Sequence, residues 1–236
     1  MKRLNIRTAI ITNAVLLLTV LSVLAVSFIP TTALPTYGRD TVSAIYHGNR
    51  ENRKISIMFN VYENTKIVEQ IVDCLDRYGA KSTFFVGGCW ADDNGETLQK
   101  IVSSGHEIAN HGYFHKDHKK LDYKGNYDEI SLTGKIVEAL CGVRPVLFAP
   151  PSGSFSAITL ESAYDLDYKV VMWSKDTIDW RDSDQNLIIN RATKNVANGD
   201  LVLMHPKKHT LSALPTIIEY YINAQFKIVT VSDNLM

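Results

Sequence analysis

Three of the seven histidines fall within eight positions, in the stretch Asn110-His111-Gly112-Tyr113-Phe114-His115-Lys116-Asp117-His118. Imidazole nitrogens bind divalent ions well. His111 and His115 stand four residues apart, so one turn of helix or a tight helical loop brings both rings to the same side. His118 is a third candidate donor. Taken alone, so short a pattern is better explained as a polar surface loop that happens to be rich in histidine. The surrounding elements have to decide.

The chain has 236 residues, long enough for one large domain or two small ones, and its 45% hydrophobic content suits a packed core. Twenty-five basic residues balance 25 acidic ones. That excludes a general nucleic-acid binder, which needs a basic surface to displace phosphate counterions. Cys74, Cys89 and Cys141 are odd in number and lack metal-site spacing. They read as small apolar residues and say nothing of compartment.

The N-terminus does. From Thr8 to Ile29 the chain carries no charge and is rich in Leu, Val and Ile, with Lys2, Arg3 and Arg7 ahead of it. The run is long enough to cross a bilayer as one helix, with the basic flank in the cytoplasm. Residues 1–29 are therefore expected to be a membrane anchor or uncleaved signal. The expected product is a single-pass cell-membrane protein with its domain outside the cytoplasm, or a secreted one if the leader is cut near Ala25-Val26-Ser27 or Thr31-Thr32-Ala33. Residues 30–53 mix Pro, Thr, Gly, Asn and Arg without periodicity and read as a tether to a domain over 54–236. His47 lies in that tether and takes no role.

Strand-like and helix-like stretches then alternate. Ile55–Phe59 reads as the first strand, and Thr65–Tyr78 as a helix with an apolar stripe closed by Gly79. Strands are expected at Ser82–Val86, His106–Ala109, Val146–Ala149, Tyr168–Trp173, Leu201–Met204 and Lys227–Val231. Helices are expected from Asn94 to Gly105, Tyr127 to Leu140, Asp184 to Val196 and Leu211 to Asn223. Such alternation implies parallel strands with right-handed crossovers, in an open doubly wound sheet or a closed barrel. Ligands bind at the carboxyl ends of the strands in either case. Asn60, the histidine loop, Pro150-Pro151-Ser152-Gly153, the pair Asp176 and Asp179, and His205 all follow strands, so they converge on one rim.

With those residues placed, Lys54 to Val231 resembles the NodB-type polysaccharide deacetylases, a carbohydrate esterase group. Tyr78-Gly79-Ala80-Lys81-Ser82-Thr83-Phe84-Phe85 is similar to that family's helix-to-strand step. Gly105-His106-Glu107-Ile108-Ala109-Asn110-His111 followed by His115 is similar to its metal motif, Asp176-Thr177-Ile178-Asp179-Trp180 to its D-x-x-D-W, and Leu203-Met204-His205 to its L-x-H. The resemblance implies a distorted (β/α)7 barrel. It also implies hydrolysis of acetyl groups on N-acetylated cell-wall polysaccharide, peptidoglycan or chitin-like, with a divalent ion, zinc or else cobalt or nickel. Carried over by position, His111 and His115 hold the metal, His205 is the general acid and Asp179 orients it. Trp180 and Leu203 shape the acetyl pocket, and the backbone N–H of Ser152 meets the oxyanion.

Three positions depart from the family pattern. Its first motif ends in two aspartates, base then metal ligand, where this chain has Asn60 and Val61. Its Arg ahead of the Pro-Pro loop is Ala149 here. Loss of the Arg together with its carboxylate partner is coherent, since either alone would leave an unpaired charge. Two functions remain open. One is a hydrolase in which Asn60 orients water, with His118, Asp117 or Asn60 as substitute metal ligand. The other is a degenerate enzyme that binds cell-wall glycan without cutting it, with Tyr62, Tyr113, Phe114, Phe155 and Trp180 as stacking surfaces. Asp92 and Asp93 read as helix-start residues, and Lys207, Lys208 and His209 as solvated loop.

Overall fold

The computed structural model describes residues 6–27 and 42–236. Two compact units result, 1–41 and 42–236. In the first, α1 spans Ile6–Ser27. Its described apolar side chains, Ile10, Val15, Leu17 and Leu21 among them, are exposed. Among the described residues no helix is long and apolar enough to cross a membrane. The expected anchor and tether lie partly outside the described residues, at 1–5 and 28–41.

The second unit runs β1 (Lys54–Val61), α2 (Thr65–Arg77), β2 (Thr83–Val86), α3 (Gly88–Asp92), α4 (Gly95–Ser103), β3 (Glu107–Asn110), α5 (Tyr123–Cys141) and β4 (Leu147–Phe148). It continues with α6 (Ala157–Asp165), β5 (Lys169–Val170), β6 (Lys175–Asp176), α7 (Gln185–Thr193), β7 (Leu201–Met204), α8 (Lys208–Asn223), β8 (Lys227–Ile228) and α9 (Val231–Leu235). The strands form one sheet in the order β5-β4-β3-β2-β1-β7-β6, with β8 also on β1. Every ladder is parallel. The result is a curled parallel half-barrel with β5 and β6 at its two ends.

β1 lies inside the sheet, paired with β2, β7 and β8, and is buried on both faces, as parallel strands covered by helices must be. Because side chains alternate with period two, Ile55, Ile57, Phe59 and Val61 enter the outer layer with Val68, Ile71 and Leu75 of α2 and Ile217 and Tyr221 of α8. Met58 faces the concave side, in a cluster with Phe85, Ala109, Ala149, Val171 and Leu203. The same alternation places the site. Two residues beyond the inward Met58, Ala109 and Leu203 come Asn60, His111 and His205.

Several elements differ from the sequence reading. α6 was not expected. It is started by a capping box in which Ser156 and Thr159 satisfy each other's backbone N–H groups, a short signal with little apolar periodicity behind it. β6 has only two residues, and its pairing with β7 rather than its own composition makes it a strand. The assigned tether also gives way to the fold. Ile45 N–H donates to Val170 O and Met172 N–H to Ile45 O, while Gly48 and Asn49 donate to Gly199 and Asn234. Residues 42–53 thus belong to the domain: Ile45 bridges to Val171 and covers open backbone beside the β5 end of the sheet.

Candidate active site at the carboxyl edge of the sheet

A cavity of about 510 Å³ opens at the carboxyl ends of the strands, and Asn60, His111, His115, Ser152, Leu203 and His205 all line it. Trp180 stands at its mouth, 56% exposed. Loops from β1, β3, β4, β6 and β7 therefore converge as the strand order demands.

His111 is 2% exposed, and its Nδ1–H donates to the Ala149 carbonyl at 2.8 Å. A carbonyl only accepts, so the proton is fixed on Nδ1 and the Nε2 lone pair is free. Burial, reinforced by the neighbouring His115, pushes the His111 imidazole down to about 3, so it is neutral at pH 7. The His115 ring lies 5.3 Å from it at 74°. Burial lowers His115 too. His115 sits at φ 55°, in the left-handed region that non-glycine residues rarely adopt.

The loop is held in that shape from behind by α5. Glu129, nearly buried, accepts the N–H groups of Tyr113 (2.9 Å) and Phe114 (2.7 Å) on Oε2 and pairs with Lys116 through Oε1 at 2.9 Å. Gly112 N–H donates to Asn110 Oδ1. At φ 73° this glycine is required, for a Cβ there would also press to 3.0 Å from the His118 ring.

The acid side is equally built. Asp179, 1% exposed, accepts His205 Nδ1–H on Oδ1 at 2.7 Å, and the His205 N–H and the Thr210 hydroxyl on Oδ2, each at 2.7 Å. His209 bonds the Asp179 carbonyl at 2.7 Å, so the residue read as solvated loop is part of this support. His205 is thereby oriented with Nε2 left to act on a bound group. Asp176 lines the cavity and accepts the Ile178 N–H, with Ile178 itself strained at φ 55°.

Several expected contributors lie elsewhere, Phe114 and Phe155 among them. His118 is buried behind the loop, its Nδ1 on Asn126 Oδ1 at 2.7 Å and its ring on Phe148, so it does not line the cavity as a third donor. Asp117 is taken by the Ser154 hydroxyl and Lys120. Tyr113, assigned to substrate, packs on Phe114, and its carbonyl accepts the Tyr62 hydroxyl, with no part in the cavity wall. In its place the wall includes Trp173, which sequence reasoning passed over although it ends a predicted strand, and the paired Glu63 and Lys207. Gly153 at φ 65° makes room for Trp173, since a Cβ would meet that ring at 2.8 Å.

The resemblance implies a divalent ion on His111, His115 and a carboxylate. The two imidazoles are suitably neutral and close, but Val61 is fully buried in the outer apolar layer and Ala149 in the inner one. What the end of β1 turns toward the cavity is the amide of Asn60, 6% exposed, with Oδ1 buried and unpartnered among the described residues. No group of three or more His, Cys, Asp or Glu among the described residues is arranged to hold a metal ion. Catalytic zinc sites draw three protein ligands from imidazole, thiolate and carboxylate. The donors here fall one short of that set.

An imidazole pair facing an Asp-supported histidine across a sugar-sized cavity, on the rim of a curled parallel sheet, defines a carbohydrate deacetylase framework. The polysaccharide deacetylase family model matches residues 47–171, and the chain belongs to that family. It is 33% identical to the uncharacterized protein YlxY of Bacillus subtilis over 80% of this chain and 59% of YlxY, so it spans about three fifths of that relative's length. A peptidoglycan-N-acetylglucosamine deacetylase of Bacillus cereus is 29% identical over 77% of this chain and 87% of its own. The fold also matches BA3943 of Bacillus anthracis, a CE4 family pseudoenzyme, with a TM-score of 0.80 and 30% identity over 83% of this chain and 69% of that one. A BA3943 mutant with restored enzymatic activity matches at the same TM-score.

Proposed function

We propose that this chain is a degenerate cell-wall polysaccharide deacetylase that binds N-acetylated glycan, peptidoglycan foremost, in the cavity at the sheet edge and leaves it uncut. One observation carries the reading. Where the family chemistry needs a base and an anionic ligand, β1 ends in an uncharged amide turned to the cavity and a valine turned away from it. An amide has no titratable carboxylate, so it takes no proton from water near neutral pH. The likeness to a pseudoenzyme of the same fold supports this reading.

Without the missing carboxylates the other groups still make a binding site. Trp180 and Trp173 offer flat apolar faces to sugar rings, Leu203 walls the acetyl methyl, and the His205–Asp179 couple offers a fixed hydrogen-bonding edge. The full chain in detergent is expected to be retained on N-acetylated peptidoglycan in the presence of a chelator and to release no acetate from it. Steady acetate release by the wild type in zinc-containing buffer would sink this reading and establish the second one, residual metal-dependent hydrolysis. The intact His205–Asp179–Thr210 array favours that alternative, since a proton donor for a leaving amine is already in place.

The domain works outside the cytoplasm, held to the membrane by its N-terminal apolar run. The charge-free run from Thr8 to Ile29, behind Lys2, Arg3 and Arg7, supports this. Protease added to intact cells should remove the domain while an N-terminal tag stays with carbonate-washed membranes. A domain protected from outside protease would overturn the orientation, and a chain lacking residues 1–29 in the medium would mean a cleaved leader.

A further inference from the structure

Asn60 carries the polar group on the cavity wall that the fold leaves unmatched. Its side chain is 6% exposed and its Oδ1 is buried with no partner among the described residues. Native interiors seldom leave a polar atom in that state unless a ligand or water completes it. Of the carboxylates on the same wall, Glu63 pairs with Lys207, and Asp176 accepts the Ile178 N–H on Oδ1. At the end of β1 the wall thus presents an uncharged amide where the family pattern has a carboxylate, beside the imidazoles of His111 and His115.

We infer that Asn60 is a specificity-determining residue whose side-chain amide hydrogen-bonds the acetamido group of an intact N-acetylated sugar, so that the site selects acetylated over deacetylated glycan. This inference rests on the glycan-binding reading and assigns its selectivity to one residue. A side-chain amide presents a donor on one arm and an acceptor on the other. The acetamido group offers the complementary carbonyl and N–H. A deacetylated sugar brings an ammonium ion instead, which loses its hydration on entry, offers the amide N–H no acceptor, and meets at position 60 a neutral group rather than a carboxylate. Aspartate at position 60 would reverse the preference by supplying that anion. Asparagine there thus changes what the site holds as well as what it fails to cut.

The test is calorimetric titration of the full chain in detergent at pH 7, with chelator, using an N-acetylglucosamine tetramer and a glucosamine tetramer as probes. The wild type should prefer the acetylated tetramer. Asn60→Leu, which keeps the bulk and removes the amide, should lose about tenfold in affinity for it with little change toward the glucosamine tetramer. Asn60→Asp, nearly the same shape, should favour the glucosamine tetramer and guards against a Leu variant that fails to fold. A Leu or Asp variant with the wild-type preference would overturn the inference while leaving glycan binding intact. A wild type that binds neither tetramer would remove the glycan reading itself, and this inference with it.

Discussion

Asn60→Asp is expected to release acetate from an N-acetylglucosamine oligomer in zinc-containing buffer at least about 10²-fold faster than the wild type, the lower end of what a placed acid–base group contributes. The exchange is nearly isosteric. It puts a carboxylate on the cavity wall shared with His111 and His115, opposite a His205 already oriented by Asp179. Ala149 leaves no guanidinium beside the new group, so the carboxylate lacks that cation, and burial raises its pKa, a bound divalent ion offsetting part of the rise. The rate should then fall on the acid side of that raised pKa, which a pH profile of acetate release reads directly. A variant that stays folded, binds zinc and turns over no faster than the wild type would mean that the deficit lies elsewhere, with Val61 and Ala149 the remaining departures.

Val61→Asp should behave in the opposite way, as a loss of stability of about 4 kcal/mol at pH 7. Val61 is fully buried in the outer layer among Ile57, Phe59, Val68 and Ile71. A carboxyl there stays protonated, and holding a group of intrinsic pKa about 3.9 neutral at pH 7 costs about 1.36 kcal/mol for each of roughly three pH units. The sign follows from linkage. The folded-state pKa is raised, so the unfolded state binds fewer protons and stability falls as pH rises above about 3.9. Chemical denaturation should accordingly show a large deficit at pH 7 that shrinks by most of its size at pH 4. A variant as stable as the wild type at both pH values would show that residue 61 turns into the cavity, and that both family aspartates are recoverable by substitution alone.

These contrasting expectations at adjacent residues show where sequence reasoning reached its limit. Position in the family motif makes 60 and 61 equivalent losses of carboxylate. Burial separates them, because consecutive strand residues face opposite sides and only the even-numbered side of β1 borders the cavity.

The order of residues along the chain was enough to establish the alternation of strands and helices and the single rim, and to place Asn60, His111, His115, Ser152, Trp180, Leu203 and His205 in one cavity. It could do so because each lies at the carboxyl end of a strand or in the loop after it, and in parallel α/β sheets those ends all point the same way. It took the folded chain to show that His118 belongs to Asn126 and Phe148, that Tyr113 packs on Phe114, that Trp173 enters the wall, and that residues 42–53 close onto the domain. Those outcomes depend on which distant segments pack behind each loop, and α5 supplies Glu129 and Asn126 from beyond the reach of any local spacing. Periodicity reports the face a residue presents; the partner waiting at that face is set by packing between segments far apart in the chain.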